Sequence, residues 1–394
     1  MAVVDRMANA SYRGKSITMS QSAARSPLGN ILTPTGWVLG QVIVKDGRIA
    51  QIEGKPVHVP SGSDVPLILP GFVDLHVHGG EGVDFSGGEN AIRQFIRFHA
   101  RSGTVAMAPT TSTAPVDVIE TALVNIETVR TTPRADEATV LGAHLEGPFI
   151  NPGKLGAQRD ITRPGDATLA LKWADLCRLV VATVAPEIEG GIAVIEALTA
   201  RGCRVQIGHS LATFEQTDEG FARGLTGFTH LFNGMSGTDH RKPGAAAYAL
   251  AKGRYAELIC DLNHVHPALV LAAYRAIPRL FAITDATFAA GCPDGDYETG
   301  DGHGVVKKGL SIMLADGSSL AGSAITMLDA FRNLVSIGLS VAQASEMCST
   351  RQAEYLALDD FGRLVPGRSA SFVVLEQNLT LRSTWLRGVS IPGQ

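Results

Sequence analysis

The sequence predicts an α/β protein, a (β/α)8 TIM barrel carrying a small β-sandwich domain built from both chain ends. Three observations predict it. From Pro70 onward eight short apolar runs recur, helix-period segments separate several of them, and stretches with β character and no helical period flank them on both sides. Eight buried strands alternating with helices argue for a closed parallel sheet rather than an open one.

The amino-terminal β segment comes first. In Val42-Ile-Val-Lys-Asp-Gly-Arg-Ile-Ala-Gln-Ile52 two β-rich runs surround Asp46-Gly47, a strong hairpin signal. The apolar runs of the barrel follow: Phe72–His76, Thr104–Thr110, Val140–Glu146, Leu179–Glu187, Val205–His209, Gly227–His230, Ala256–Asp261 and Leu280–Asp285. Between them Ile92, Phe95, Ile96 and His99 recur at helical spacing, as do Ile119, Leu123 and Ile126, then Ile192, Ile195 and Leu198. Thr326–Ile337 and Val341–Leu356 read as two further helices. From Gly362 the chain returns to β character, and so short a tail must pair with residues 29–69. The predicted division is a leader over 1–28, a small β-domain from 29–69 with 362–394, and a barrel over 70–361.

Composition narrows the function. The 394 residues are 45% hydrophobic and 18% charged, enough for one large core and a smaller one. A net charge of −4 gives no overall pull toward nucleic acid or an acidic membrane, so an anionic substrate must meet a local positive cluster. Five scattered cysteines (Cys177, Cys203, Cys260, Cys292, Cys348) include no CxxC pair. They read as neither a disulfide framework nor a zinc finger, which fits a reducing cytoplasm. No run approaches the roughly 18 apolar residues of a membrane span. Residues 1–28 are rich in Ser, Ala and Arg, with Asp5 as their only acid, and read as a disordered leader within which Met19 can serve as a start.

In a barrel of this kind functional groups sit at the carboxyl ends of the strands. The runs deliver His76 and His78, Glu146, His209, His230 and Asp285 to those ends. His76 and His78, two apart on a strand, face one side. With Glu146, His209 and His230 they make a nitrogen-rich shell suited to Zn2+, and Glu146 can bridge a second ion held by the histidine pair. Each piece alone has a structural explanation: bonded strand-end histidines, a Glu-Gly-Pro turn, a helix-capping aspartate. Their coincidence at five strand ends does not. Of the 11 histidines, His58, His99 and His303 read as structural, and His144 as support for the shell. Neutral water attacks amides poorly, and bound Zn2+ lowers its pKa from about 15.7 to about 7. Asp285, with no evident ligand role, is the candidate to move the proton.

These residues lie in Pro70-Gly-Phe-Val-Asp-Leu-His-Val-His-Gly79, His144-Leu-Glu-Gly-Pro-Phe149, Ala185-Pro-Glu187, Gly208-His-Ser210, Thr229-His-Leu-Phe-Asn233 and Thr284-Asp285. In order from about residue 29 to the C-terminus, the pattern resembles the N-acetylglucosamine-6-phosphate deacetylases of the amidohydrolase superfamily. The first motif marks only the superfamily; HLEGPF, GHS and THLFN together are specific. The resemblance implies removal of acetate from N-acetylglucosamine 6-phosphate. It implies Glu146, His209 and His230 as ligands of the main ion, His76 and His78 for members with a second, and Asp285 as acid/base. It also implies phosphate capture by Asn233 and Gly234 and by Arg241, donated across a homodimer, and substrate contact by His264.

Two departures stand out. Where the pattern has a substrate-holding histidine, Gly156-Ala157-Gln158 supplies Gln158, which bonds but carries no charge, leaving glucosamine versus galactosamine preference open. Asp261-Leu262 replaces the usual Asp-Gly. Metal identity, one ion or two, also stays open. Two rivals are a cyclic amidase or deaminase and a non-catalytic sugar-phosphate regulator. Many of the former carry a bridging lysine at the fourth strand end, absent from Val184-Ala-Pro-Glu187; intact ligands with Asp285 disfavour the latter.

Overall fold

The computed structural model describes residues 24–60, 62–299 and 304–393. Nearly all of the predicted leader, including Met19, and also His303 lie outside the described residues.

Both chain ends meet in one sheet. The hairpin Gly36–Lys45 and Arg48–Val57 turns at Asp46-Gly47, both with positive φ (52° and 74°), the primed turn that matches strand twist. The strands predicted for the small β-sandwich domain are joined by hydrogen bonds into one continuous eight-stranded sheet. The reason is Leu67–Pro70, which pairs with Gly29–Thr33 on one side and Phe372–Leu375 on the other. Leu381–Leu386 and Val389–Pro392 extend it. Its apolar face buries Ile31, Val42, Ile68, Phe372 and Val374, with Phe372 stacked on Trp385 at 4.9 Å.

All eight apolar runs form parallel strands, six of them shorter than their sequence signals: Phe72–Val77, Thr104–Pro109, Ala143–Glu146, Leu179–Val184, Arg204–Ile207, Leu225–Phe228, Tyr255–Ile259 and Arg279–Ile283. The first pairs with the second, the third through sixth pair in succession, and the seventh pairs with the eighth. Isolated bridges and hydrogen bonds link these groups. Thr110 bridges to His144, Leu231 N donates to Glu257 O at 2.9 Å, and Asp285 N donates to His76 O at 2.9 Å. Gly88–Arg101, Val116–Thr131 and Gly191–Ala200 are the helices whose period was legible, each burying its apolar stripe. The expected helix over 341–356 contains a wider π turn at Glu346–Thr350, where Ser349 Oγ reaches Gly71 O and ties it to the first strand.

One element was not anticipated. After the eighth strand, Gly295–Glu298, Gly304–Lys308, Ser311–Leu314 and Leu320–Ser323 form an antiparallel four-stranded sheet. Its inner residues Val305, Ile312 and Ala321 form a small core of their own.

Candidate metal centre and substrate pocket

The strand-end residues converge. His76 is on the first strand, and His78 follows it by one residue. His209, His230 and Asp285 lie two residues past their strands with φ of 46°, 28° and 50°. That left-handed backbone takes each off the ladder and turns its side chain inward, at about 1–3 kcal/mol apiece.

The imidazole tautomers follow from their outer partners. His209 Nδ1 lies 2.7 Å from Lys154 O, and His230 Nδ1 lies 3.2 Å from Asn233 O. A carbonyl only accepts, so each Nδ1 donates and each Nε2 presents a lone pair. Those two Nε2 atoms stand 3.1 Å apart, with Glu146 Oε1 at 3.1 and 3.0 Å from them. Three buried acceptors facing one another repel unless something positive lies among them. The donor set fits a divalent cation.

A second trio shares Glu146. His76 Nε2 is 3.2 Å from His78 Nε2, and these lie 3.5 and 3.4 Å from Glu146 Oε1 and Oε2. In each trio the ligand atoms are within 4.8 Å of one another. His76 Nδ1 contacts Glu257 at 3.0 Å, and His78 Nδ1 contacts Ser112 Oγ at 3.2 Å. His144, packed on His76 with centroids 4.5 Å apart, has both nitrogens engaged, by Leu75 O and Thr183 Oγ1. It supports the ring of His76 and has none left for an ion.

The charges respond to this crowding. Burial pushes Glu146 up, but the His76 charge and the close contacts of His209 and His230 hold it well below the carboxylate range. Burial pulls His78 down, yet its bonds to Asp285 and Glu146 prevail and raise it to about 9. Asp285, whose Oδ1 lies 3.1 Å from His78 Nε2 and 3.4 Å from His76 Nε2, is pushed up by burial, then drawn down to about 2 by those imidazoles.

Above this floor opens a cavity of about 620 Å³, lined by the predicted Ala157, Gln158, Asn233, Gly234 and His264. His264 Nδ1 contacts Asp261 Oδ2 at 2.7 Å, which fixes the ring. Leu262 has φ 62°, so the position where the pattern has glycine still adopts the glycine-favouring conformation. Arg241 is exposed and off the lining; its Nε donates to His240 at 3.0 Å.

Sequence reasoning missed three contributors. Val305, Ile312, Leu314 and Leu320 of the antiparallel insert form an apolar wall. Buried Glu257 orients His76, and buried Asp74 accepts from Thr284 Oγ1 at 2.6 Å, beside Asp285. The signal for both was available: each is the lone acidic side chain inside a buried strand.

Residues 67–391 match the amidohydrolase family. The chain belongs to that family. Within the amidohydrolases it is similar to the N-acetylgalactosamine-6-phosphate deacetylase of Escherichia coli O157:H7, 39% identical over 91% of this chain and 96% of that one. It is also similar to the N-acetylglucosamine-6-phosphate deacetylase of Lysinibacillus sphaericus, 35% identical over 87% and 91%. The solved N-acetylglucosamine-6-phosphate deacetylase of Thermotoga maritima superposes with a TM-score of 0.85 at 28% identity, covering 94% of this chain and all of that one.

Proposed function

We propose that this amidohydrolase hydrolyses the acetamido group of N-acetylglucosamine 6-phosphate to glucosamine 6-phosphate and acetate. The observation that carries the reading is the meeting of His209 and His230 Nε2 with Glu146 Oε1, beside Asp285, on the floor of one pocket. The deacetylase relatives support the substrate class.

The fold that serves it is a closed (β/α)8 barrel over 70–361, supported by the contacts linking its strand groups, with a small β-domain from 29–69 and 362–394. Glu146, His209 and His230 hold the principal ion, Zn2+ by the character of the donors, and His76 with His78 offer a second place. When bound, the ion supplies the Lewis acidity that activates water and polarises the acetamido carbonyl. Asp285, ionised at neutral pH, takes the proton of water on a carboxylate oxygen and returns it to the departing amine. Asn233 and Gly234 receive the phosphate together with Arg241 of the partner subunit in a homodimer, where a guanidinium fork suits two phosphate oxygens. His264, Ala157 and Gln158 contact the sugar. The insert's apolar wall excludes water from that face. Five free cysteines accord with work in the cytoplasm.

A second reading, the galacto epimer, is favoured by the relative at 39% identity and by Gln158 in place of histidine. Acetate release from both epimeric 6-phosphates and from cyclic amides tests all three. Higher kcat/KM on the gluco compound is expected; turnover of cyclic amides alone would overturn the proposal.

A further inference from the structure

We propose that Gln158 sets how many cations the centre holds, by occupying the Glu146 oxygen that a second ion needs. This rests on Glu146, His209 and His230 being the principal ligands. The amide's orientation is fixed by its neighbours. Thr113 N–H only donates and lies 2.7 Å from Gln158 Oε1, so the opposite end is Nε2, donating to Glu146 Oε2 at 2.7 Å.

The two oxygens of Glu146 divide their nearest partners. Oε1 lies 3.1 Å from His209 Nε2 and 3.0 Å from His230 Nε2, with His76 Nε2 farther off at 3.5 Å, whereas Oε2 lies 3.4 Å from His78 Nε2. With Oε1 engaged by the principal ion, a separate ion beside His78 draws on Oε2. Gln158 aims the positive end of an N–H dipole at that same oxygen and lowers its donor strength. Nor does the amide swing away freely. Leaving would strip the partly buried Thr113 N–H of its acceptor, the kind of loss that opposes rearrangement. Glu146 Oε1 carries no such donor, so the principal site keeps its full strength. One ion binds tightly and the second weakly.

The test is metal binding, independent of turnover. Full-length protein, stripped with a chelator, is dialysed against graded Zn2+ and its metal content measured, for wild type, Gln158→Ala and the volume-preserving Gln158→Met. Wild type is expected to fill one site first, with the second weaker by at least about tenfold. A hydrogen bond to a charged group is strong enough that removing the N–H tightens the second site by about tenfold, with the first changing less than about threefold. A merely structural glutamine would weaken both sites together. Two equal sites in wild type, or a second site indifferent to both substitutions, overturns the proposal while leaving the functional reading intact. No tight ion at all in wild type overturns the ligand assignment itself.

Discussion

Asp285→Asn separates proton transfer from metal binding. The carboxylate contacts His78 and His76 at 3.1 and 3.4 Å, yet neither trio of converging ligand atoms includes it. Its backbone is held independently: Asp285 N donates to His76 O at 2.9 Å, and Ser323 N donates to Asp285 O at 2.8 Å. An isosteric amide therefore keeps the fold, the pocket shape and the ion. What it loses is a base, since the wild-type carboxyl, held down to about 2 against the push of burial, is ionised at neutral pH. Positioned acid/base groups contribute about 10²–10⁴ in rate, roughly 3–5 kcal/mol at about 1.36 kcal/mol per factor of ten. Steady-state acetate release, with metal analysis of the same samples, should show kcat lower by that factor. KM should stay within about threefold and metal content should not change. A kcat loss below about tenfold with the ion retained would mean the proton travels elsewhere. Loss of the ion would make Asp285 a ligand.

Prolonged chelation should abolish turnover and lower Tm, with Zn2+ restoring both. Ligand at a thousand times Kd stabilises by about 4 kcal/mol, so unchanged melting would argue against a structural ion. Arg241→Ala should raise KM for the phosphorylated sugar roughly tenfold to a hundredfold while leaving the unphosphorylated sugar unaffected, because charged hydrogen bonds contribute about 1.5–3 kcal/mol; equal effects on both would remove the phosphate role. His99 is fully buried, and burial drives its imidazole from 6.5 down to about 4 despite a bond to Gly79 O. A depressed base favours its neutral form in the fold, so this stability is present above pH 6.5 and is lost as pH falls toward 4. At about 1.36 kcal/mol per unit the loss is on the order of 3 kcal/mol. Urea unfolding at pH 7 and pH 4.5 should show His99→Gln losing less than wild type, and parallel losses would refute the assignment.

The strand ends were legible because burial and chemistry leave opposite marks on one short segment. An apolar run that stops at His, Glu or Asp announces both a buried strand and a candidate functional tip, and six such groups do share one pocket or its floor. Glu257 and Asp74 carried an equally readable mark but sit inside the runs, where a lone charge looks like noise until its partner is known. Gln158 was read as a sugar contact; that its amide bridges Thr113 and Glu146 depends on loops from two different strands, which no local pattern encodes. The insert was missed for a different reason. Its strands are four or five residues long, with exposed residues interleaved and Gly309 and Gly317 at the turns, so it looks like a glycine-rich loop. Its β character comes from pairing, not from a strong run of its own.

That insert is more than a cover. Its last strand ends at Ser323, whose Oγ donates to Thr284 O at 2.6 Å and whose N–H donates to Asp285 O. Thr287 N returns a bond to Ser323 O, so the residues around Asp285 are stitched to the insert on both sides. Gly322, with φ 62°, permits this approach; a Cβ there would stand 2.8 Å from Asp285 O and 2.6 Å from Thr287 Cγ2. On its other flank Asp285 is tied to the first strand through His76 O, and Thr284 through Asp74. A left-handed aspartate is strained and needs surroundings that over-determine it. Here they come from two directions, the parallel strand that carries His76 and the antiparallel sheet that walls the pocket. The wall and the proposed proton-moving group are thus one mechanical unit, and an insert that failed to pack would remove one of the two supports that hold the strained backbone of Asp285.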